Sequence, residues 1–274
     1  MSFFEDIDNI DVLESHADAL FKLEKQESTN ILKIFRRVAQ KLASRLTLSQ
    51  DKSVDEAVRF TLLQVNSGID AIKASLRSDV EFSTEVVANL ASKHLGIEMG
   101  VFERKFNQSM VPININAVKV ASQSKNFLFN TFDASIKAYS QSLRDKIAIG
   151  LQDAIVEVVP PEDIIGRMVG FFGREEWRLR RIVRTEMHNI YGTAKQFGME
   201  DVQSKSFPDL KKTLYHPMDS RTAEDSIYAH SLNLVADIGE PFRYQWKGKW
   251  RVFNTIDRPN DRSIVIPYRP SWNS

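Results

Sequence analysis

Apolar residues recur every three or four positions through most of this chain, and every second position only near its end. Over 8–49, Ile10, Leu13, Leu20, Leu23, Ile31, Ile34, Phe35, Val38, Leu42 and Leu46 alternate with charges. That spacing predicts an amphipathic helix with a break near 27–30, where Glu, Ser, Thr and Asn follow one another. The pattern resumes over 53–76, with Ser53 and Glu56 spaced as a capping box. A third helix is expected over 78–95, stopped by Gly96. Pro112 and the Asn residues of 107–116 interrupt the periodicity and predict a loop or a short extended piece. A long helix is expected over 117–158, ended by Pro160 and Pro161. A shorter one then leads through Gly173 into a strong helix over 174–197, capped by Gly198.

Beyond Gly198 the period shortens. Residues 210–215, 242–246, 249–253 and 263–268 have strand composition. Lys247 and Gly248 fall between the second and third of these as a hairpin turn. Pro267 cannot donate to a ladder, which confines the last strand to an edge. The expected fold class is therefore α+β: a long, mostly helical body over 1–160, then a C-terminal α+β module over 161–274. That module combines the 174–197 helix with short antiparallel strands between about 210 and 268.

Bulk properties narrow the chemistry. The chain has 274 residues, 37 basic against 36 acidic, for a formal net charge of +1. Any attraction for nucleic acid must then be local. Cysteine is absent, which excludes disulfides, thiolate metal sites and cysteine nucleophiles. No run of 18 apolar residues occurs, and the acidic start lacks the basic flank of a signal peptide, so a soluble protein with no membrane partner is expected. Phosphate-binding glycine loops, the G-x-S-x-G elbow and H-E-x-x-H are all missing, so neither a catalytic residue nor a cofactor is expected.

Two clusters invite a functional reading. His216 and His230 bracket Asp219 and Asp225, a conceivable nitrogen and oxygen ligand set, but their spacing matches no known metal motif and turn-bound histidines are the better account. In 173–186, Arg174, Arg178 and Arg181 share one helix face beside Trp177, and such a face could meet DNA phosphates. The interleaved Glu175, Glu176 and Glu186 favour a salt-bridged surface instead.

Three pieces occur in a suggestive order. They are the helix 182–194 with Arg184, Thr185 and Glu186; the turn 215–222 with Asp219, Arg221 and Thr222; and the segment 258–263 with Pro259, Asn260 and Arg262. Over about 181–268 they resemble the minor head proteins of tailed bacteriophages, the Mu F-like head morphogenesis family. The family's usual cysteines correspond here to Ser226 and Asp261, so a sulfur-held metal or thiol pairing is not available.

The resemblance implies a structural virion protein of the phage head, made in the host cytoplasm and located at the portal vertex. It implies binding to the portal protein, with the major capsid or scaffold protein and packaged double-stranded DNA as further partners, and a role in head assembly and in DNA retention or ejection. A physical reading of the motif has Arg184, Arg221 and Arg262 forking onto Asp219, Glu186 or Asp261 to staple helix, turn and terminal strand. Two alternatives stand beside it. One is a DNA-contacting internal head protein using the Arg174 face. The other is an ADP-ribosyltransferase-like enzyme, for which the required Glu-x-Glu or Gln-x-Glu pair is missing.

Overall fold

The computed structural model describes residues 7–47, 54–105, 117–157, 161–218, 220, 222–255, 258 and 262–273. It is an α+β protein of four long helices and a small C-terminal set of antiparallel strands. The helices are α1 (Ile7–Thr47), α2 (Val54–Lys105), α3 (Ala117–Val156) and α4 (Pro161–Lys205). They are followed by β1 (Lys211–Tyr215), α5 (Glu224–Ser231), β2 (Val235–Ala236), β3 (Phe242–Trp246), β4 (Lys249–Phe253) and β5 (Ile264–Tyr268). A 3-10 turn spans Pro270–Asn273. The expected loop at 107–116 lies outside the described residues.

Five expected interruptions, in three of the helices, are not there. The helix α1 runs unbroken through 27–30, because Glu24, Glu27 and Ser28 are buried and occupy the inward face instead of marking a turn. The helices expected over 53–76 and 78–95 are one element. Ile69, Leu76, Val80, Val87, Ala91, Leu95, Met99 and Phe102 keep a single buried stripe across Ser78 and past Gly96. Likewise, α4 passes through Gly173 and Gly198. A Cβ on Gly198 would lie 2.5 Å from Leu95 Cδ2, so this glycine serves close packing rather than capping, and Met199 and Val202 continue the buried face beyond it.

The chain forms two compact units. One comprises Met1–Lys25, Ser83–Leu128 and Thr185–Ser274; the other comprises Gln26–Phe82 and Phe129–Arg184. The second unit is wholly helical, and its buried residues include Ile31, Phe35, Leu76, Val80, Phe132, Ile136, Tyr139, Leu143, Leu179 and Val183. Its polar layer joins helices: Lys146 reaches Glu175 at 2.8 Å, and Arg36 grips Glu176 with two bonds of 2.7 Å.

In the first unit, the buried residues include Leu13, Leu20, Leu95, Met99, Met187 and Tyr191 of the helices and Leu214, Phe242, Val265 and Ile266 of the strands. A three-stranded sheet has the order β2-β1-β5, with both pairings antiparallel. Leu214 pairs with Val265 and Lys212 with Pro267, so β5 is an edge strand, as Pro267 requires. All five residues of β5 are nevertheless buried. After it, Trp272 is fully buried with its ring 5.3 Å from that of Phe102, edge to face. The strands β3 and β4 make a separate hairpin, pairing Gln245 with Trp250 and Arg243 with Val252. Its turn places Lys247 at φ 48° and Gly248 at φ 77°, the left-handed pair that matches the twist of a two-residue hairpin.

Candidate functional site

The three sequence pieces meet in the first unit, and histidines join them. On α4, His188 directs Nε2 to the backbone carbonyl of Ser263 at 2.6 Å, while its Nδ1 lies 3.0 Å from Glu24 Oε1 of α1. The Ser263 hydroxyl in turn lies 2.6 Å from His216 Nδ1, just after β1. One residue at the head of β5 is therefore bound through its backbone to the helix and through its side chain to the turn. Ser263 and His216 have the partners of a nucleophile and a base, but both are buried. That arrangement suits a joint between segments, since a substrate needs access to the serine oxygen.

Glycine brings a second segment onto the same helix. A Cβ on Gly192 would stand 2.7 Å from both Cβ and Cγ2 of Thr255, so the chain after β4 can approach α4 only because residue 192 has none. One turn earlier, Asn189 Oδ1 accepts a 2.9 Å hydrogen bond from the Thr255 hydroxyl.

Among the described residues a charge staple is built on Arg258 and Asp225, whereas the expected one draws on Asp219, Arg221 and Asp261, which lie outside them. Arg258 pairs with Asp225 and also donates to the Ser226 hydroxyl at 3.0 Å, binding the third piece to α5. Arg251 Nη2 approaches the same carboxylate at 3.8 Å. Burial would raise the Asp225 pKa, but the Arg258 guanidinium and the Ser226 amide hold it below the usual 3.8. Thus Ser226, the expected counterpart of a cysteine in the resemblance, is a partner of Arg258. The signal was present, since Arg258 opens the third piece, but its partner on α5 depends on a helix too short to be read from periodicity.

Of the expected motif residues, Thr222 donates to the Pro217 carbonyl at 2.7 Å, and Arg262 Nη2 reaches the Thr222 hydroxyl at 3.4 Å. The Arg262 guanidinium also lies over the Phe21 ring, 5.7 Å from its centroid. Arg184 and Glu186 are half-buried on α4, and the Thr185 hydroxyl oxygen between them is buried with no hydrogen-bond partner among the described residues. Asp219, Arg221, Pro259, Asn260 and Asp261 lie outside the described residues.

As for the conceivable ligand set, the His216 and His230 rings pack edge to face, 5.9 Å between centroids, and Asp225 faces Arg258. Among the described residues no group of three or more metal-binding side chains is arranged around one point.

Most of the basic face on α4 is occupied from within. Arg178 donates to Ser142 at 2.9 Å, lies 3.5 Å from Glu175 and covers the Tyr139 ring. Arg181 stacks on Trp177 at 4.8 Å. Arg174 is exposed.

A buried polar network was not foreseen. In the first unit, Lys195 Nζ lies 2.7 and 2.6 Å from the two oxygens of Glu98, and both side chains are fully buried. His16 Nδ1 touches the same carboxylate at 2.8 Å. The His16 and His94 rings stack in parallel, 3.8 Å apart, and His94 Nδ1 bonds to the Tyr191 hydroxyl at 2.8 Å. Burial, then the neighbouring charges of His16, Lys195 and Lys93, push the His94 pKa down to about 3. The available signal is positional: His94 and Glu98 fall beside Leu95 and Met99 on the apolar stripe, where a charged residue must be paired.

No family model, no curated protein and no solved structure matches this chain. No described helix is long and apolar enough to cross a membrane.

Proposed function

We propose that this chain is a structural virion protein of a tailed phage, a minor head protein at the portal vertex, acting in head assembly rather than in catalysis. One observation supports the reading most. The pieces that carry the resemblance, far apart in sequence, are bonded to one another: His188 to Ser263, Ser263 to His216, and Arg262 to Thr222, while Arg258 ties the third piece to α5 through Asp225 and Ser226. They behave as one unit whose charged groups are used for cohesion, as an assembly module requires. Helices of 40 to 52 residues in α1 to α4 add long faces on which other helices can dock.

The portal protein is the proposed principal partner, with major capsid or scaffold protein and packaged duplex as further contacts. A DNA-contacting role for the α4 arginines has less support, because Arg178 and Arg181 are already engaged. Co-expression with the portal protein of the same phage, followed by affinity purification of either one, tests the proposal. A stable complex, and recovery of the chain with assembled heads, is expected. Failure to bind both would overturn it.

A further inference from the structure

We infer that the exposed face of α4 over 170–181, with Trp177 at its centre and Arg174, Arg180 and Arg181 around it, docks a carboxylate-bearing helix of a partner protein. The assignment rests on the reading as a head protein, which makes that partner the portal protein. Between Gly173 and Arg181 the sequence sets four arginines against two glutamates. The fold separates them. Glu175 is buried and takes Lys146 of α3, and Glu176 is held by Arg36 of α1 through two bonds, so both acids are answered by cations of other helices. Arg178 turns to Ser142 and the Tyr139 ring. Arg174, Trp177 and Arg181 then follow one another at steps of three and four residues, with Arg180 beside them, and Arg174, Trp177 and Arg180 are exposed.

Arg174, Arg180 and Arg181 make no ion pair among the described residues, and Arg180 acts on Glu176 through space alone. Trp177 is 64% exposed, and the Arg181 guanidinium, 4.8 Å from its ring centroid, pre-orders both side chains. Just before it, Gly170 and Gly173 are exposed, and a Cβ added at either would meet nothing within 4 Å, so a second helix can approach closely. Interfaces between proteins concentrate their binding energy in such Trp and Arg side chains, and guanidiniums spaced by helical turns match carboxylates spaced in the same way. A second copy of this chain would set arginine against arginine. A duplex would satisfy the arginines with phosphates but leave the indole against a hydrated, charged backbone, and a lipid surface needs more apolar area than one indole offers.

Titration of the portal protein of the same phage onto the immobilised full chain, followed by biolayer interferometry, tests the assignment, with a short DNA duplex and vesicles of anionic phosphatidylglycerol as comparisons. Trp177→Ala should weaken portal binding about 30-fold or more, the loss expected of an interface anchor. Arg174→Glu with Arg180→Glu should weaken it at least as much and reduce its salt dependence, and the milder pair Arg174→Gln and Arg180→Gln should act in the same direction. Trp250→Ala, which removes a comparably exposed indole elsewhere, should change nothing. The substituted positions are exposed, and unchanged circular dichroism melts would show the fold retained. The assignment alone is overturned if wild type and α4 variants bind the portal protein alike, if these variants lose only duplex or vesicle binding, or if the chain binds assembled heads without binding the portal protein. A wild-type chain that binds neither the portal protein nor assembled heads overturns the head-protein reading, and this assignment with it.

Discussion

Glu98 receives the ammonium of Lys195 on both of its oxygens, at 2.7 and 2.6 Å, with neither side chain touching solvent. Burial pulls the Lys195 pKa down, and the Glu98 carboxylate opposes that pull. Removing one partner strands a charge in the core. Lys195→Met is expected to cost about 3–5 kcal/mol, toward the lower end because His16 still contacts Glu98 at 2.8 Å. Adding Glu98→Leu should recover most of that loss. Urea unfolding of the two single variants and the double variant gives the coupling directly, and additive losses would show that the pair is not coupled.

His94, buried and stacked on the His16 ring, makes the fold sensitive to acid. An unfolded His94 takes up its proton near 6.5, whereas in the folded chain the pKa is about 3. The unfolded state therefore binds more protons between these values. Its contribution to stability is fully present above pH 6.5 and is lost progressively as the pH falls toward 3. Thermal melts across this range should show a falling Tm, and His94→Gln, which retains a hydrogen-bonding group for Tyr191, should reduce the slope.

Two glycines on long helices should respond oppositely to alanine. At Gly192 the new methyl would meet Thr255 at 2.7 Å, and overpacking of this kind costs about 1–3 kcal/mol. At Gly96 nothing lies within 4 Å, so Gly96→Ala should stabilise the helix by about 0.5–1 kcal/mol through its better propensity. Denaturant midpoints of the two variants, measured side by side, check the contrast.

Arg258 binds both Asp225 and Ser226, which a planar guanidinium can do and a point charge cannot. Arg258→Ala is expected to destabilise the module by about 1–3 kcal/mol by leaving the Asp225 carboxylate without its principal partner, and Arg258→Lys should restore only part of this. Because the folded pKa of Asp225 is held below 3.8, its contribution is present above that value and is lost as the pH falls through the lower folded pKa. Hydrogen exchange of the α5 amides should accelerate in the alanine variant, and the acid dependence of its Tm in that range should shrink.

The α+β class, the four strands and the Lys247–Gly248 turn were all legible from the chain alone, because each rests on local rules: a period of 3.6 or 2, a proline that cannot donate, a glycine that tolerates positive φ. The short helix α5 and the two-residue β2 carried too few periods to be seen. Gly96 and Gly198 were misread as helix ends because a glycine's local preference is to stop a helix, while buried stripes extending past each of them hold the helix together. The polar run at 27–30 misled for the same reason, since its inward residues are buried rather than solvated.

The sequence by itself determined where backbone could be helical or extended and which residues could carry charge. Only the tertiary structure decided which charges met. Arg258 selects Asp225, 33 residues away, and Lys195 selects Glu98, 97 residues away. These choices rest on the desolvation of groups brought together by packing, and a buried charge must find its partner in space, whatever their separation along the chain.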